Sequence, residues 1–229
     1  SKKYFQKLSK NNKDGVIQSL LSVSLNNWIN FKDINDVNIA LKNIESIPER
    51  FTKIKKIQKT FVYCYFNSIE SDTAFKKLID DPETDYSRYL FFYINLLNQK
   101  NNEEKAQDLL NSSLDSFPRN LMLNQLKHDI NKKNFNNNKF DCRDLSHIFA
   151  EIFYIVSNAL ATQENYSASN FYLNLAKYLN PHFISYDTLQ AENFYKIYKY
   201  DLSRKIYYKN KKKGLVYQWY AAKQISSIF

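Results

Sequence analysis

Glycine and proline are nearly absent. The 229 residues contain two glycines and four prolines. A sheet protein of this length needs many tight turns, and tight turns draw on both residue types. The composition therefore excludes a β-rich fold and points to helices joined by short polar loops. With Gly15 and Gly214 the only glycines, no glycine-rich loop can cradle a phosphate, and no G-x-S-x-G elbow can present a serine nucleophile. Cys64 and Cys142 are the only cysteines, too few for a disulfide framework or a cysteine zinc site. Each lies in or beside an apolar segment, where a buried free thiol is the expected state. A single long-range disulfide is the alternative, so the redox compartment stays open. His128, His147 and His182 fall in separate segments, without a second ligand one helical turn away. No metal, no cofactor and no catalytic constellation are expected from such a set.

Long hydrophobic runs are also missing, and no stretch approaches the ~20 apolar residues of a membrane helix. No transmembrane segment is expected. The sequence starts at Ser1 without an initiating Met and stops at Phe229 inside a helical pattern. It reads as a piece of a longer protein whose targeting segment, if it has one, lies outside. The compartment, cytoplasmic or periplasmic, is therefore undecided.

Charge of one sign is in excess, with a formal net charge of +10. Two causes fit. Basic surfaces attract nucleic acid, anionic lipid or acidic proteins. A chain rich in Lys, Asn, Ile, Tyr and Phe is also what an AT-rich genome encodes, with no functional meaning to the lysines.

Helical periodicity is present along most of the chain. It predicts helix pairs at about 16–47, 51–80, 87–117, 145–180 and 184–210, and a terminal helix over 215–229. A lone helix with an Asn/Lys-rich loop fills 121–144. Pro48, Pro82, Pro118 and Pro181 each follow the second helix of a pair, where a residue that cannot continue a helix belongs.

The pairs repeat. The fourth reads Phe153-x2-Val156-Ser157-x2-Leu160, then Ser169-x3-Leu173, Ala176 and Pro181. The third reads Leu90-x2-Tyr93-Ile94-x2-Leu97, then Ala106-x3-Leu110, Ser113 and Pro118. In both, 16 positions separate the first large residue from the small one, and 8 separate the last large one from the proline. The fifth pair follows 34 residues on, with Ala191, Phe194, Ser203 and Tyr207 replacing Ser157, Leu160, Ser169 and Leu173. In that pair Asp187 and Gln190 stand where large apolar residues belong, and a slight rotation that brings in Tyr186 and Leu189 is expected. The first two pairs fit only with adjusted spacing.

This pattern resembles the tetratricopeptide repeat, whose period is 34 residues. The order of segments around "NKKNFNNNKF" and "AEIFYIVSNALATQENYSASNFYLNLAKYLNP" is similar to a group of long, poorly characterised alphaproteobacterial proteins of that family. The resemblance implies an all-α right-handed superhelix of antiparallel pairs, a bacterial source, and a concave groove lined by the first helix of each pair. Groove positions would be Arg88, Phe91 and Asn95 in the third pair and Glu151, Tyr154 and Asn158 in the fourth. In the fifth they would be Glu192, Tyr195 and Lys196. Phe91 and Tyr154 stand where the carboxylate-binding subclass has Lys, so capture of a peptide C-terminus is not expected.

The expected function is a protein-interaction scaffold, and not an enzyme, with a peptide or partner helix in the groove. One alternative is RNA or polyanion binding through Arg204, Lys205, Lys209, Lys211, Lys212 and Lys213, which have no acid between Ser203 and Gly214 and have Tyr207 and Tyr208 among them. A helix C-terminus, which favours cations, explains the same cluster without a ligand. Another alternative is the non-catalytic arm of a larger enzyme. A second basic strip, Glu49 to Lys59, reads as a solvated helix face.

Overall fold

The computed structural model describes residues 15–81, 86–132 and 139–228. Twelve α-helices and no strands occur among them, so the protein is all-α. In chain order they are α1 Val16–Asn30, α2 Val37–Ile44, α3 Thr52–Tyr65, α4 Ser71–Ile79, α5 Ser87–Gln99, α6 Glu103–Ser116, α7 Leu121–Asn131, α8 Leu145–Thr162, α9 Tyr166–Leu179, α10 Ile184–Lys196, α11 Tyr200–Asn210 and α12 Leu215–Ser226. Pro48, Pro118 and Pro181 lie in the turns after α2, α6 and α9. Pro82 and most of the Asn/Lys-rich loop lie outside the described residues. The chain gathers into two compact units: Ser1–Tyr89 with Cys142–Ile148, and Leu90–Asp141 with Phe149–Phe229.

In the first unit α1 packs on α2, α2 on α3 and α3 on α4. Leu20, Leu21, Leu25 and Trp28 recur at helical spacing and bury one face of α1. Ile57, Phe61, Val62 and Cys64 do the same for α3. A polar link crosses this core: Trp28 Nε1 donates to Gln58 Oε1 at 3.0 Å, and Gln58 Nε2 donates to Ser24 Oγ at 2.8 Å. The basic strip is a solvated face only in part: Arg50 and Lys53 are exposed, but three of its lysines are paired with acids. Lys55 is buried and lies 2.5 Å from Glu49, Lys56 lies 2.5 Å from Asp81, and Lys59 pairs with Glu45. The cysteines are not free. Cys64 and Cys142 form a disulfide with Cα atoms 5.9 Å apart, inside the range that geometry allows. The open alternative at the sequence level is the one the fold adopts, because both buried sulfurs are brought to the same place.

In the second unit α6 packs on α7, and α9, α10, α11 and α12 pack in succession. α12 also lies against α7, so the last helix returns to one much earlier in the chain. Gln125 joins them, accepting from the Val216 N–H at 3.0 Å and donating to Asp129 at 2.7 Å. Gly214 makes the approach possible: its φ of 148° suits glycine, and a Cβ there would collide with the Gln125 amide. Asp187 and Gln190 are not rotated out as expected. Both are buried, while Leu189 is only half-buried. Asp187 lies 2.5 Å from Lys177 and 3.4 Å from Lys209, and Gln190 bonds Lys177 and Asn174. Neighbouring cations and amides make burial of these polar groups tolerable.

The hairpin turns repeat as well. Asn67, Asn101, Glu164 and Tyr198 have positive φ between 49° and 61°. Each ends the first helix of a pair in a Schellman closure, in which the N–H of the next residue reaches the carbonyl five positions back. These bonds are Ser68 to Tyr63 at 2.9 Å, Asn102 to Leu97 at 3.0 Å, Asn165 to Leu160 at 2.9 Å and Lys199 to Phe194 at 2.9 Å. Asn67 and Asn101 are 34 residues apart, as are Glu164 and Tyr198. Five residues after the last three turns come Ala106, Ser169 and Ser203, each with no exposed surface. In the second pair the buried small residue, Ser71, comes four residues on.

α8 is the helix that bears on the membrane expectation. Among the described residues it is the helix long and apolar enough, by length and composition, to cross a membrane. Its Ile148, Ala150, Ile152, Val156 and Leu160 are covered within the fold.

Candidate functional site

The expected groove residues separate into two groups. Phe91 is 2% exposed and lies in a ring cluster, 6.0 Å from Phe92 and 5.9 Å from Phe183. Phe92 stacks on Phe140 at 3.9 Å, and Tyr154 packs 5.6 Å from Tyr186. Phe91 is thus a core residue, Tyr154 is half-buried against the core, and Glu151 is buried too. The reason is that Phe183 packs against Phe91 and Phe92 while Phe140 stacks on Phe92, both from turns that periodicity does not place. Asn95 is half-buried and donates its amide to its own helix, at Phe91 O, at 2.9 Å. Asn158, Tyr195 and Lys196 are exposed, and Arg88 is half-buried.

Glu192 is committed elsewhere. It accepts from the Tyr220 hydroxyl at 2.5 Å, and burial raises its carboxyl above the usual range. Burial also pushes the Tyr220 and Tyr207 hydroxyls upward, with the Glu192 charge adding to both, so each stays protonated at neutral pH. Tyr195 belongs to an exposed ladder of rings, 5.5 Å from Tyr200, which is 6.1 Å from Tyr198.

The basic cluster is partly neutralised by acids from outside it. Arg204 pairs with Asp201, and Lys209 lies 3.4 Å from Asp187. Lys211 sits 6.0 Å from the centre of the Tyr208 ring. Lys205 and Lys212 are exposed and Lys213 is half-buried.

A further feature is an open cavity of about 1020 Å³ in the second unit. Its walls come from the entry to α7 (Pro118, Arg119, Leu121, Asn124) and one side of α12 (Leu215, Val216, Trp219, Tyr220, Lys223). Trp219 is 64% exposed, a large apolar ring left open to water. Lys223 Nζ lies 5.7 Å from the centre of that ring. The sequence did hold a signal. Tyr217, Ala221 and Ile225 form the buried stripe of α12 at i, i+4 spacing. Leu215, Trp219 and Lys223 form a second stripe with the same spacing, two positions away and so on the other side of the helix. One apolar stripe suffices to pack a helix, so the second was left over.

Among the described residues no three His, Cys, Asp or Glu side chains gather as a metal would require. No protein-family model matches this sequence, and no curated protein is similar enough to it to count as a relative.

Proposed function

We propose that this chain is a protein-interaction scaffold, a superhelix of tetratricopeptide-like helix pairs that holds a peptide segment or a partner helix and has no catalytic role of its own. The observation that carries this reading is the recurrent hairpin: a left-handed residue, a Schellman closure, and a buried small residue shortly after, with a 34-residue interval on both sides of the irregular middle. The 34-residue interval is the period of that repeat. A pair closed in this way cannot cover its own apolar face, so pairs stack and leave extended surfaces whose side chains vary freely. Of the groove positions, Asn158, Tyr195 and Lys196 are exposed, Arg88, Asn95, Tyr154 and Glu192 are half-buried, and Phe91 and Glu151 are buried.

The test is retention of a specific protein by the intact chain, with Asn158, Tyr195 and Lys196 replaced singly and together. Capture that persists at ~0.5 M salt, where exposed charge pairs are largely screened, supports the scaffold. Retention of RNA alone, released by nuclease or salt and abolished by changing Lys211, Lys212 and Lys213 to Glu, overturns it.

A further inference from the structure

We infer that the open cavity between the entry to α7 and α12 is a docking site for an acidic peptide segment, with an apolar anchor against Trp219 and carboxylates at Arg119 and Lys223. The inference rests on the scaffold reading and adds a location and a chemistry to it.

Three observations point this way. First, the cavity is built. Gln125 holds the first turn of α12 through Val216, and Gly214 allows the close approach. Tyr220, in the wall, is fixed by its hydrogen bond to Glu192. A site that is already formed does not have to be ordered when it binds. Second, its walls are mainly apolar, and their largest element is the exposed Trp219. Binding hot spots are enriched in tryptophan. A volume of about 1020 Å³ lies at the upper end of ligand clefts, and the site is open along one side rather than enclosed. Third, the lining contains two cations and no acid. Neither Arg119 nor Lys223 has a carboxylate partner among the described residues, whereas Lys177 and Lys209 elsewhere in this unit share Asp187. Charge complementarity therefore selects a partner with Asp or Glu beside its apolar residue.

The experiment is selection of a random library of ~12-residue displayed peptides on the intact chain. Fluorescence polarisation of the enriched sequences follows, against the parent and against Trp219→Ala, Arg119→Glu with Lys223→Glu, and Tyr198→Ala. Tyr198 is 79% exposed and outside the cavity, so its variant is the control. Circular dichroism checks each fold; the replaced side chains support no core. The expected result is enrichment of sequences with an aromatic or aliphatic residue and two or more acids. Affinity should fall at least ~10-fold in the Trp219 variant and in the double charge reversal, and stay unchanged in the control. Neutral or basic winners, or winners indifferent to Trp219, overturn the docking site and leave the scaffold reading in place. Failure to enrich any peptide overturns the docking site together with peptide recognition by the chain.

Discussion

Reduction of the Cys64–Cys142 disulfide should cost the first unit several kcal/mol. The bond closes a 78-residue separation. If the whole chain unfolds together, the loop-entropy relation gives about 4.5 kcal/mol for a loop of that size. Residues 90–141 belong to the second unit, however. If that unit stays folded while the first one opens, roughly 26 residues remain free in the loop, and the same relation gives about 3.5 kcal/mol. For a unit of about 100 residues this is a fall of roughly 14–28 °C in midpoint, and for concerted unfolding of the whole chain a fall of roughly 9–18 °C. Both sulfurs are nearly inaccessible, so reductant should be added under denaturing conditions and the protein refolded. Calorimetry of oxidised protein, reduced protein and a Cys64→Ala, Cys142→Ala double variant makes the comparison. Two separate transitions, with only one shifted, select the smaller figure. Equal midpoints in all three, or two titratable thiols in unreduced, denatured protein, would refute the reasoning.

Three further outcomes follow from the same structure. Gly214→Ala should destabilise the second unit by about 1–3 kcal/mol, because the new Cβ strains the backbone and displaces Gln125 from Val216; urea unfolding measures it. Glu164→Gly should raise stability by about 1 kcal/mol, since a glutamate with φ of 60° carries a penalty that glycine does not, and a lower urea midpoint would contradict this. Glu192 has a folded-state pKa raised by burial, so the folded state holds its proton more tightly than the unfolded chain. Stability should therefore decline as pH rises from the ordinary carboxyl range, about 4.3, through the raised folded value, and level off above it. Urea midpoints taken across that range should show this slope in the parent and lose it in Glu192→Gln.

Helix positions were legible because each helix carries its own periodicity and its own stop signals. The spacing of Leu20, Leu25 and Trp28 along α1, or of Ala106, Leu110 and Ser113 along α6, needs no partner to be read. Ser169 was legible for the same reason: it stands in the repeat where Ala106 and Ser203 stand. It is fully buried and accepts from Asn193 at 2.8 Å, as a packing residue and not a nucleophile. The left-handed hairpin residues were not legible. Glycine is the usual signal for that conformation, and here Asn, Glu and Tyr occupy it.

The expected groove failed at Phe91 for a physical reason. Position on a first helix says which way a side chain leaves the backbone, and it does not say what comes to meet it. Phe140 and Phe183 close over Phe91 and Phe92 from irregular segments whose course no periodicity encodes. The same holds for charge. Six cations without an intervening acid looked like a patch, until Asp187 from another helix reached Lys209 and Asp201 folded back on Arg204.

By itself, then, the sequence determined the all-α class, the helices and the turns that separate them, because these depend on contacts within a few residues and on composition. Tertiary structure alone decided the Cys64–Cys142 bond, the return of α12 to α7, and the open walls around Trp219. Those depend on residues as far as 91 positions apart, and only the folded chain brings such residues together.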